Sequence, residues 1–391
     1  MTDHAFYTLS ISIAAALLAY ILLWSGLQTF NANPTRRFLR IWGKLILYYA
    51  AYTMPVWALL LLTGWMEGLF DLAWPVLLIA VAAMLLYFYT VIIQPNCLRL
   101  EHHTVDLDLS APLTVAVLAD LRIGLYSGKP RHIRKLVATI NDLAVDAVLI
   151  TGDWLYYPSA DLVGQLMLFK GVNKPVYTVM STSDLRYQSL NTTKQGQPLL
   201  EDTLACAFDV LDISYIGQQC TSLPLRCAAV LPSASRFDNT KDTQRLAAHA
   251  SDAPVAVLCG WQDVPVQCGE INEKNSADKA KLGTKITHAR QPVIILASRF
   301  DSISDLPKSP QPRPLLITGA AKATQKNIWQ AQKQQDIQRS GHKGMLGNSR
   351  MGKQRGLYQH ASAQIFVSSG IGTRGLPFRL YRPTIDVLTI R

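Results

Sequence analysis

The chain has 391 residues and a formal net charge of +11, because 38 Lys and Arg outnumber 27 Asp and Glu. Such a balance suits an anionic membrane surface or a nucleic acid. Its two basic runs, residues 122–135 and 331–355, lack interleaved aromatic side chains and any recognition module, so nucleic acid is disfavoured as a partner.

The first 100 residues contain three apolar segments, residues 6–30, 45–65 and 69–93, each long enough to cross a bilayer. The N-terminal residues, MTDHAF, include no Lys or Arg, so the first segment does not have the pattern of a cleavable signal peptide. We therefore predict a three-helix transmembrane domain over residues 1–94, followed by a connector over residues 95–111.

Charge in the two short loops predicts the orientation of these helices. The loop between the second and third spans carries Glu67 and Asp71. The loop between the first and second spans carries four basic residues: Arg36, Arg37, Arg40 and Lys44. The positive-inside rule then places the N-terminus outside and the large C-terminal domain in the cytoplasm, in a multi-pass protein of the inner membrane.

The cysteines show no CxxC pair and no zinc-finger spacing. An even number would permit disulfides if the domain were external, whereas in a reducing cytosol we expect free and mostly buried thiols. The six are Cys97, Cys206, Cys220, Cys227, Cys259 and Cys268.

Two histidines, His102 and His103, lie on a predicted strand within the connector. Neighbouring residues of a strand point to opposite faces, so these two side chains could not easily share a metal ion. We expect both at the surface.

Residues 112–391 alternate between strand and helix patterns, which predicts an α/β domain with parallel neighbouring strands early on. Predicted strands cover residues 113–120, 147–152 and 175–181, separated by helices over residues 132–143 and 159–170. Further short strands are predicted near residues 210–216, 225–231, 254–259, 292–298, 313–318, 364–368 and 384–390.

Asp120 ends the first of these strands, and Asp153 follows the second. Carboxylates at the carboxyl ends of parallel strands meet in one crevice, where they could hold a divalent metal. The alternative is that each Asp only caps the loop or helix that follows it.

Two basic runs follow. Residues 122–135 carry five Lys or Arg and no acid, and residues 331–355 carry six against a single Asp. They could hold the domain against anionic lipid, or they could form an ordinary solvated face.

Six segments follow one another along the chain: AVLADLRIG, LITGDW, VYTVMSTSD, IILASRFD, LLITGAAKATQ and the C-terminal FVSSGIGTRGLPFRLYRPTIDVLTI. In order and spacing they resemble the motifs of the calcineurin-like metallophosphoesterase family, in its membrane-anchored bacterial branch. The resemblance implies a four-layer αββα sandwich over residues 112–391, in which two sheets pack face to face with helices outside. It also implies that the two basic runs lie in loops near the mouth of the crevice.

The resemblance also implies ligand positions for two metal ions, most of which are substituted here. One ion would be held at the positions of Asp120, Arg122, Asp153 and Lys322. The other would be held at the positions of Asp153, Thr182, Ser298 and Ala320. Ser183 stands at the position of a His that assists the leaving group, and Asp184 is retained.

Arg122 and Lys322 carry only hydrogen-bond donors and cannot ligate a metal at neutral pH. We expect these two cations to replace the first ion beside the two carboxylates, since each opposite pair gains roughly 4 kcal/mol at 4 Å before desolvation. The favoured hypothesis is a catalytically inactive, membrane-anchored binding or regulatory module, without a metal cofactor. Its crevice would be closed by ion pairs or would hold an anionic group such as a lipid phosphate.

Two alternatives remain open. The protein could be an active hydrolase of phosphodiester or phospholipid-type substrates, with a reduced site in which Asp120 and Asp153 hold one ion of the Mn, Fe or Zn type. It could also be a structural partner of a membrane protein, with no use for the crevice. The bilayer is a predicted partner in all three cases.

Overall fold

The structure is a computed structural model of the protein. It describes residues 3–31, 38–68, 72–126, 129–158, 162–181, 183–184, 200–217, 219–223, 256–261, 292–298, 313–319, 356–359, 363–373, 376–379 and 381–391.

Three long apolar helices occupy the N-terminal part of the chain, which confirms the predicted spans. They are α1 (Asp3–Asn31), α2 (Phe38–Met66) and α3 (Trp74–Phe88), and α3 continues through a π turn (Tyr89–Ile93) and a 3-10 turn (Gln94–Asn96). All three are long and apolar enough to cross a bilayer, and at most 28% of the residues in their most apolar stretches are buried inside the protein. Their side chains are therefore free to face lipid.

Helix α2 begins at Phe38 rather than at the predicted Leu45, so Arg40 and Lys44 lie on the helix and not in a loop. Its 29 residues span about 43 Å at 1.5 Å per residue. A bilayer has only about 30 Å of hydrocarbon. The N-terminal turns of α2 therefore extend out of the hydrocarbon toward the C-terminal domain.

Among the residues that the structure describes, the C-terminal domain forms two six-stranded sheets. The first sheet contains β1 (Arg99–Val105), β2 (Leu113–Leu118), β4 (Ala147–Ile150), β6 (Val176–Thr178), β7 (Ile213–Tyr215) and β14 (Thr384–Ile390). Its strand order is β1–β14–β2–β4–β6–β7. Strand β14 is parallel to β1 and antiparallel to β2, while β2, β4, β6 and β7 are parallel.

The second sheet contains β8 (Cys220–Leu223), β9 (Ala256–Trp261), β10 (Val293–Ala297), β11 (Leu315–Gly319), β12 (Gly356–Gln359) and β13 (Gln364–Ser368). Its strand order is β12–β13–β11–β10–β9–β8. The four central strands are parallel, and the two edge strands, β12 and β8, are antiparallel to their neighbours.

The two sheets pack face to face through a fully apolar core, to which β2 and β4 contribute Val115 and Leu149 and β10 contributes Ile294. The opposite face of the first sheet is covered by α4 (Pro130–Asp142), α5 (Leu162–Met167) and α6 (Leu200–Val210). Burial on both faces accounts for the unbroken apolar runs of β2 and β4. Three successive layers of an α/β domain are thus described, while the fourth layer of the predicted sandwich is not among the described residues.

Several predicted boundaries shift. The helix predicted over residues 159–170 is the short α5 followed by a 3-10 turn (Leu168–Gly171). Residues 99–105, within the predicted connector, form β1 of the first sheet. The second half of the first basic run begins α4 and is not a loop. The strand predicted near residues 225–231 lies outside the described residues. The second basic run, residues 331–355, also lies outside them.

The expectation of free thiols is wrong for two cysteines, because a disulfide joins Cys220 to Cys259. The two residues lie directly opposite each other on the antiparallel strands β8 and β9. Cys97 and Cys206 are free thiols, and the other two cysteines lie outside the described residues. Disulfides persist in oxidising compartments, so this pair and the charge of the loops point to opposite sides of the membrane.

Candidate functional site

Asp120 and Asp153 lie side by side, as the sequence predicts. Strands β2 and β4 are adjacent and parallel, with Leu118 paired to Ile150, so each Asp follows its strand at the same edge of the sheet. Both residues are buried, with 7% and 8% of their surface exposed. We call the space between these two strand ends the crevice.

The crevice faces the membrane-spanning helices. Strand β1 starts at Arg99, directly after the last turn of the third span, and is parallel to β14. Because β14 is antiparallel to β2, the carboxyl end of β2 lies at the same edge of the sheet as the start of β1. The crevice therefore opens at the membrane-facing edge of the domain.

The backbone around the crevice is held in an uncommon conformation. Asp120, Arg122 and Asp153 have φ angles of 53°, 49° and 52°, values that non-glycine residues rarely adopt. The Arg122 N–H donates to the carbonyl of Asp153 at 2.9 Å. Beyond this bond the two loops continue as a short parallel pair, β3 (Ile123–Gly124) and β5 (Leu155–Tyr156). Left-handed residues tend to cluster at functional sites and ligand clamps.

Arg122 occupies the space between the two carboxylates. Its Nη2 lies 3.1 Å from Asp120 Oδ1 and 3.3 Å from Asp153 Oδ2. The Arg122 residue is itself only 8% exposed. A guanidinium offers five donors and no lone pair, so its single positive charge offsets part of the charge of the two carboxylates where the family resemblance implies a metal ion.

The described residues therefore do not fit the first metal ion. An ion between Asp120 and Asp153 would have to displace a buried cation that already contacts both carboxylates. Lys322, the second cation predicted here, lies outside the described residues.

A second cation near the crevice, the half-buried Arg379, was not predicted from the sequence. Its guanidinium donates to the carbonyls of Gly370, Ile371 and Gly372 at 2.5 to 2.7 Å. Burial lowers the pKa of Arg379 to about 10, against the opposing effect of Asp120, and nearby Arg122 lowers it further. The only sequence signal was the glycine-rich segment GIGTRG just before it.

The segment that Arg379 holds closes over the loop after β2. Ile371 and Gly372 donate backbone N–H bonds to the carbonyls of Ala119 and Asp120, at 2.8 and 2.6 Å. Gly370 has a φ of +77°, and a Cβ at this position would come within 2.8 Å of Asp120 Cβ. Only glycine permits this close approach without strain.

Asp184 has a structural role in this arrangement. Its Oδ1 accepts the Leu155 N–H at 2.9 Å, and its Oδ2 accepts the backbone N–H and the hydroxyl of Ser181 at 3.0 and 2.9 Å. The side chain is fully buried. Burial and the neighbouring charge of Asp153 raise the pKa of Asp184 to about 6, although these hydrogen bonds oppose the rise.

The position implied for the second metal contains hydroxyl groups. Ser298 Oγ and Thr151 Oγ1 are buried and lack a hydrogen-bond partner, and Ser183 is half-buried. Thr182 and Ala320 lie outside the described residues. In the part of the chain that the structure describes, the position offers only Asp153 as an anionic ligand, so it does not fit a tightly held metal either.

A second polar cluster lies where the spanning helices meet the domain, and we call it the junction. Lys44 Nζ of α2 donates to the Tyr156 hydroxyl at 2.6 Å. Lys129 Nζ donates to the Tyr52 hydroxyl at 2.9 Å and lies 5.3 Å from the centre of the Tyr48 ring. Hydrogen bonds and cation–π contacts thus fix the domain against α2.

The junction encloses a cavity of about 50 Å³, whose lining includes Lys129, His132, Tyr52 and Asn96. Burial lowers the pKa of His132, and the neighbouring cations, including Lys129, lower it further. The His132 imidazole is therefore mainly neutral at pH 7, when it can both donate and accept a hydrogen bond.

No protein-family model matches the chain, and no curated protein matches it. The family resemblance therefore rests on the order of the motifs and on the positions of their residues in the fold.

Proposed function

We propose that the protein is a catalytically inactive, membrane-anchored relative of the calcineurin-like metallophosphoesterases that binds anionic lipid headgroups at the junction. The observation that carries the inactive part is the position of Arg122 between Asp120 and Asp153. Two-metal phosphoester hydrolysis needs ions that clamp the attacking and leaving oxygens. A buried cation in place of one ion supplies charge but no activated water.

Charges in the crevice argue against an anion binding there. Asp120 and Asp153 contact the guanidinium of Arg122, and Asp120 also interacts electrostatically with the half-buried Arg379. Both guanidiniums already contact oxygen atoms. An added phosphate would have to compete with those contacts. The site also has at least as many acidic as basic side chains, so it has no excess positive charge to attract an anion. An anion is therefore better accommodated at the junction than in the crevice.

The junction has the properties that an anionic headgroup requires. Residues 129–135, KPRHIRK, carry four cations and no acid. Lys129, Arg131, Arg134 and Lys135 are all exposed, and α4 starts here, so its positive helix end adds to their charge. Each well-placed cation contributes about 1 kcal/mol to binding of anionic lipid.

We propose the cytoplasmic side for the domain, on the basis of the basic residues that precede and begin α2. The Cys220–Cys259 disulfide is the opposing observation, because disulfides persist in oxidising compartments.

The test uses the full-length protein purified in detergent and native mass spectrometry of bound lipid. We expect phosphatidylglycerol to be retained over phosphatidylcholine, and Lys129→Ala to weaken that binding about fivefold. Arg391→Ala is the matched control, because Arg391 is an exposed cation that follows the end of β14 remote from the membrane-facing edge. That end is about 20 Å along the strand from the edge. Equal retention in both variants would contradict the lipid site.

Two further arms complete the test. Inorganic phosphate, used in place of lipid, distinguishes a lipid-headgroup site from a general phosphate site. A lipid-headgroup site also depends on the acyl chains in the bilayer, so it should not bind inorganic phosphate alone. A generic phosphodiester with Mn²⁺ tests for catalysis. Turnover that Asp153→Ala abolishes would overturn the inactive assignment and support the hydrolase.

A further inference from the structure

Three potential metal ligands meet on the first sheet, and none of them belongs to the crevice. Glu101 and His103 are two residues apart on β1, so their side chains share a face. Asp386 is the partner of Glu101 in the parallel pairing of β1 with β14. The register of two strands that are remote in sequence thus brings two carboxylates and an imidazole together.

The spacing of the three groups suits a small divalent ion. His103 Nε2 lies 3.5 Å from Asp386 Oδ1 and 3.8 Å from Glu101 Oε2. One ligand atom from each residue lies within 4.8 Å of the other two. Ligands at about 2.1 Å from a tetrahedral zinc ion are about 3.4 Å apart, so only small side-chain movements would complete a coordination sphere.

Neighbouring residues hold each ligand in place. The Ser368 hydroxyl donates to Asp386 Oδ2 at 2.5 Å, and Arg99 Nε lies 3.2 Å from Glu101 Oε1. In each carboxylate one oxygen is thus engaged by a neighbour while the other faces His103. The His103 ring packs against Phe366, with 5.0 Å between ring centres. Such outer partners commonly orient the ligands of metal sites.

The site is also accessible. The side chain of Asp386 is 3% exposed, whereas those of Glu101 and His103 are 14% and 29% exposed. A metal ion could therefore enter from solvent and keep a water in its fourth position. The expectation that both histidines lie at the surface holds for exposed His102 but not for the half-buried His103.

We propose that Glu101, His103 and Asp386 form a binding site for one divalent transition-metal ion of the zinc type. An imidazole with two carboxylates suits zinc and its neighbours better than Mg²⁺ or Ca²⁺, which prefer oxygen alone. The ion joins the first strand after the membrane to the last strand of the chain. Its role is to lock these two strands together, and no reaction is assigned to it.

The test titrates Zn²⁺ into the full-length protein in detergent, after EDTA treatment, by calorimetry. We expect one equivalent to bind and to raise the melting temperature. Co²⁺ in its place should give the visible absorption of a four-coordinate ion. We expect His103→Ala to weaken Zn²⁺ binding at least 100-fold and Ser368→Ala about 10-fold.

His102→Ala is the matched control, because the neighbouring imidazole is exposed on the opposite face of the same strand. It should bind Zn²⁺ as the unmodified chain does. Asp120→Asn with Asp153→Asn separates this site from the crevice, and Zn²⁺ affinity should not change. The proposal is overturned if Zn²⁺ does not bind, if His103→Ala binds it equally well, or if the crevice variant abolishes binding.

Discussion

Arg122 is bound to Asp153 twice, by its backbone N–H to the Asp153 carbonyl at 2.9 Å and by its guanidinium to the Asp153 carboxylate at 3.3 Å. The first bond aligns the two loops, and the second places a positive charge against the Asp153 carboxylate. Removing the guanidinium should leave two buried carboxylates facing each other. We expect Arg122→Ala to lower the free energy of unfolding by about 3–5 kcal/mol, measured by thermal denaturation of the detergent-solubilised protein.

The double variant Arg122→Ala with Asp153→Asn serves as the control. It removes one of the two negative charges that repel each other in Arg122→Ala, and it should therefore recover part of the lost stability. If Arg122→Ala melts at the same temperature as the unmodified chain, the ion pairs do not replace a bound cation in stabilising this part of the fold.

Asp184 should make stability depend on pH in an unusual direction. Its pKa is about 6 in the folded protein against an ordinary value of 3.8, so between these pH values the folded state binds a proton that the unfolded chain releases. The contribution of Asp184 to stability is therefore full below pH 3.8 and falls as the pH rises through 6, by up to about 3 kcal/mol.

The measurement is thermal denaturation at pH 4, 5, 6 and 7 for the unmodified chain and for Asp184→Asn. The melting temperature of the unmodified chain should fall relative to the variant as the pH rises. Asp108→Asn, at an exposed position, should run parallel to the unmodified chain. Parallel curves for Asp184→Asn as well would contradict the raised pKa.

Gly370 should tolerate no side chain. With φ at +77° and a Cβ only 2.8 Å from Asp120 Cβ, Gly370→Ala combines backbone strain with a steric clash. We expect a loss of about 2–4 kcal/mol. Gly68→Ala is matched in φ, at +70°, but its Cβ would meet no atom within 4 Å, and it should cost only about 1 kcal/mol. Circular dichroism melts of both variants give the comparison.

Cysteine labelling can decide the side of the membrane on which the domain lies. Cys206 is an exposed free thiol, and with a cytoplasmic domain it should react with a membrane-impermeant maleimide only after the cells are permeabilised. Cys206→Ser controls for labelling at other thiols. Labelling of Cys206 in intact cells, together with a Cys220–Cys259 pair that resists alkylation until it is reduced, would place the domain outside.

Local patterns predicted much of the fold. The apolar runs that became β2 and β4 and the alternation with α4 required only nearby residues, and adjacent parallel strands then placed Asp120 level with Asp153. The spans followed from length and hydropathy alone. The contact of Arg122 with the two carboxylates was predicted from the position of Arg122 in the first motif, and the structure confirms it.

Features that depend on pairing between distant segments could not be predicted. His103 meets Asp386 only because β1 pairs in one register with the last strand of the chain. The disulfide likewise depends on the register of β8 with β9, across 39 residues of sequence. Arg379 binds backbone carbonyls, which leave no trace in side-chain patterns. In each case the deciding contact is set by the tertiary structure.

The place of β14 between β1 and β2 also constrains how the protein is made. Strand β1 emerges from the ribosome directly after the third span, but its hydrogen-bonding neighbour, β14, begins only at Thr384. The edge of β1 must therefore wait unpaired, beside a newly inserted helix bundle, until β14 has been synthesised. A premature stop that removes the final strand should thus leave a chain that inserts in the bilayer but exposes an aggregation-prone edge.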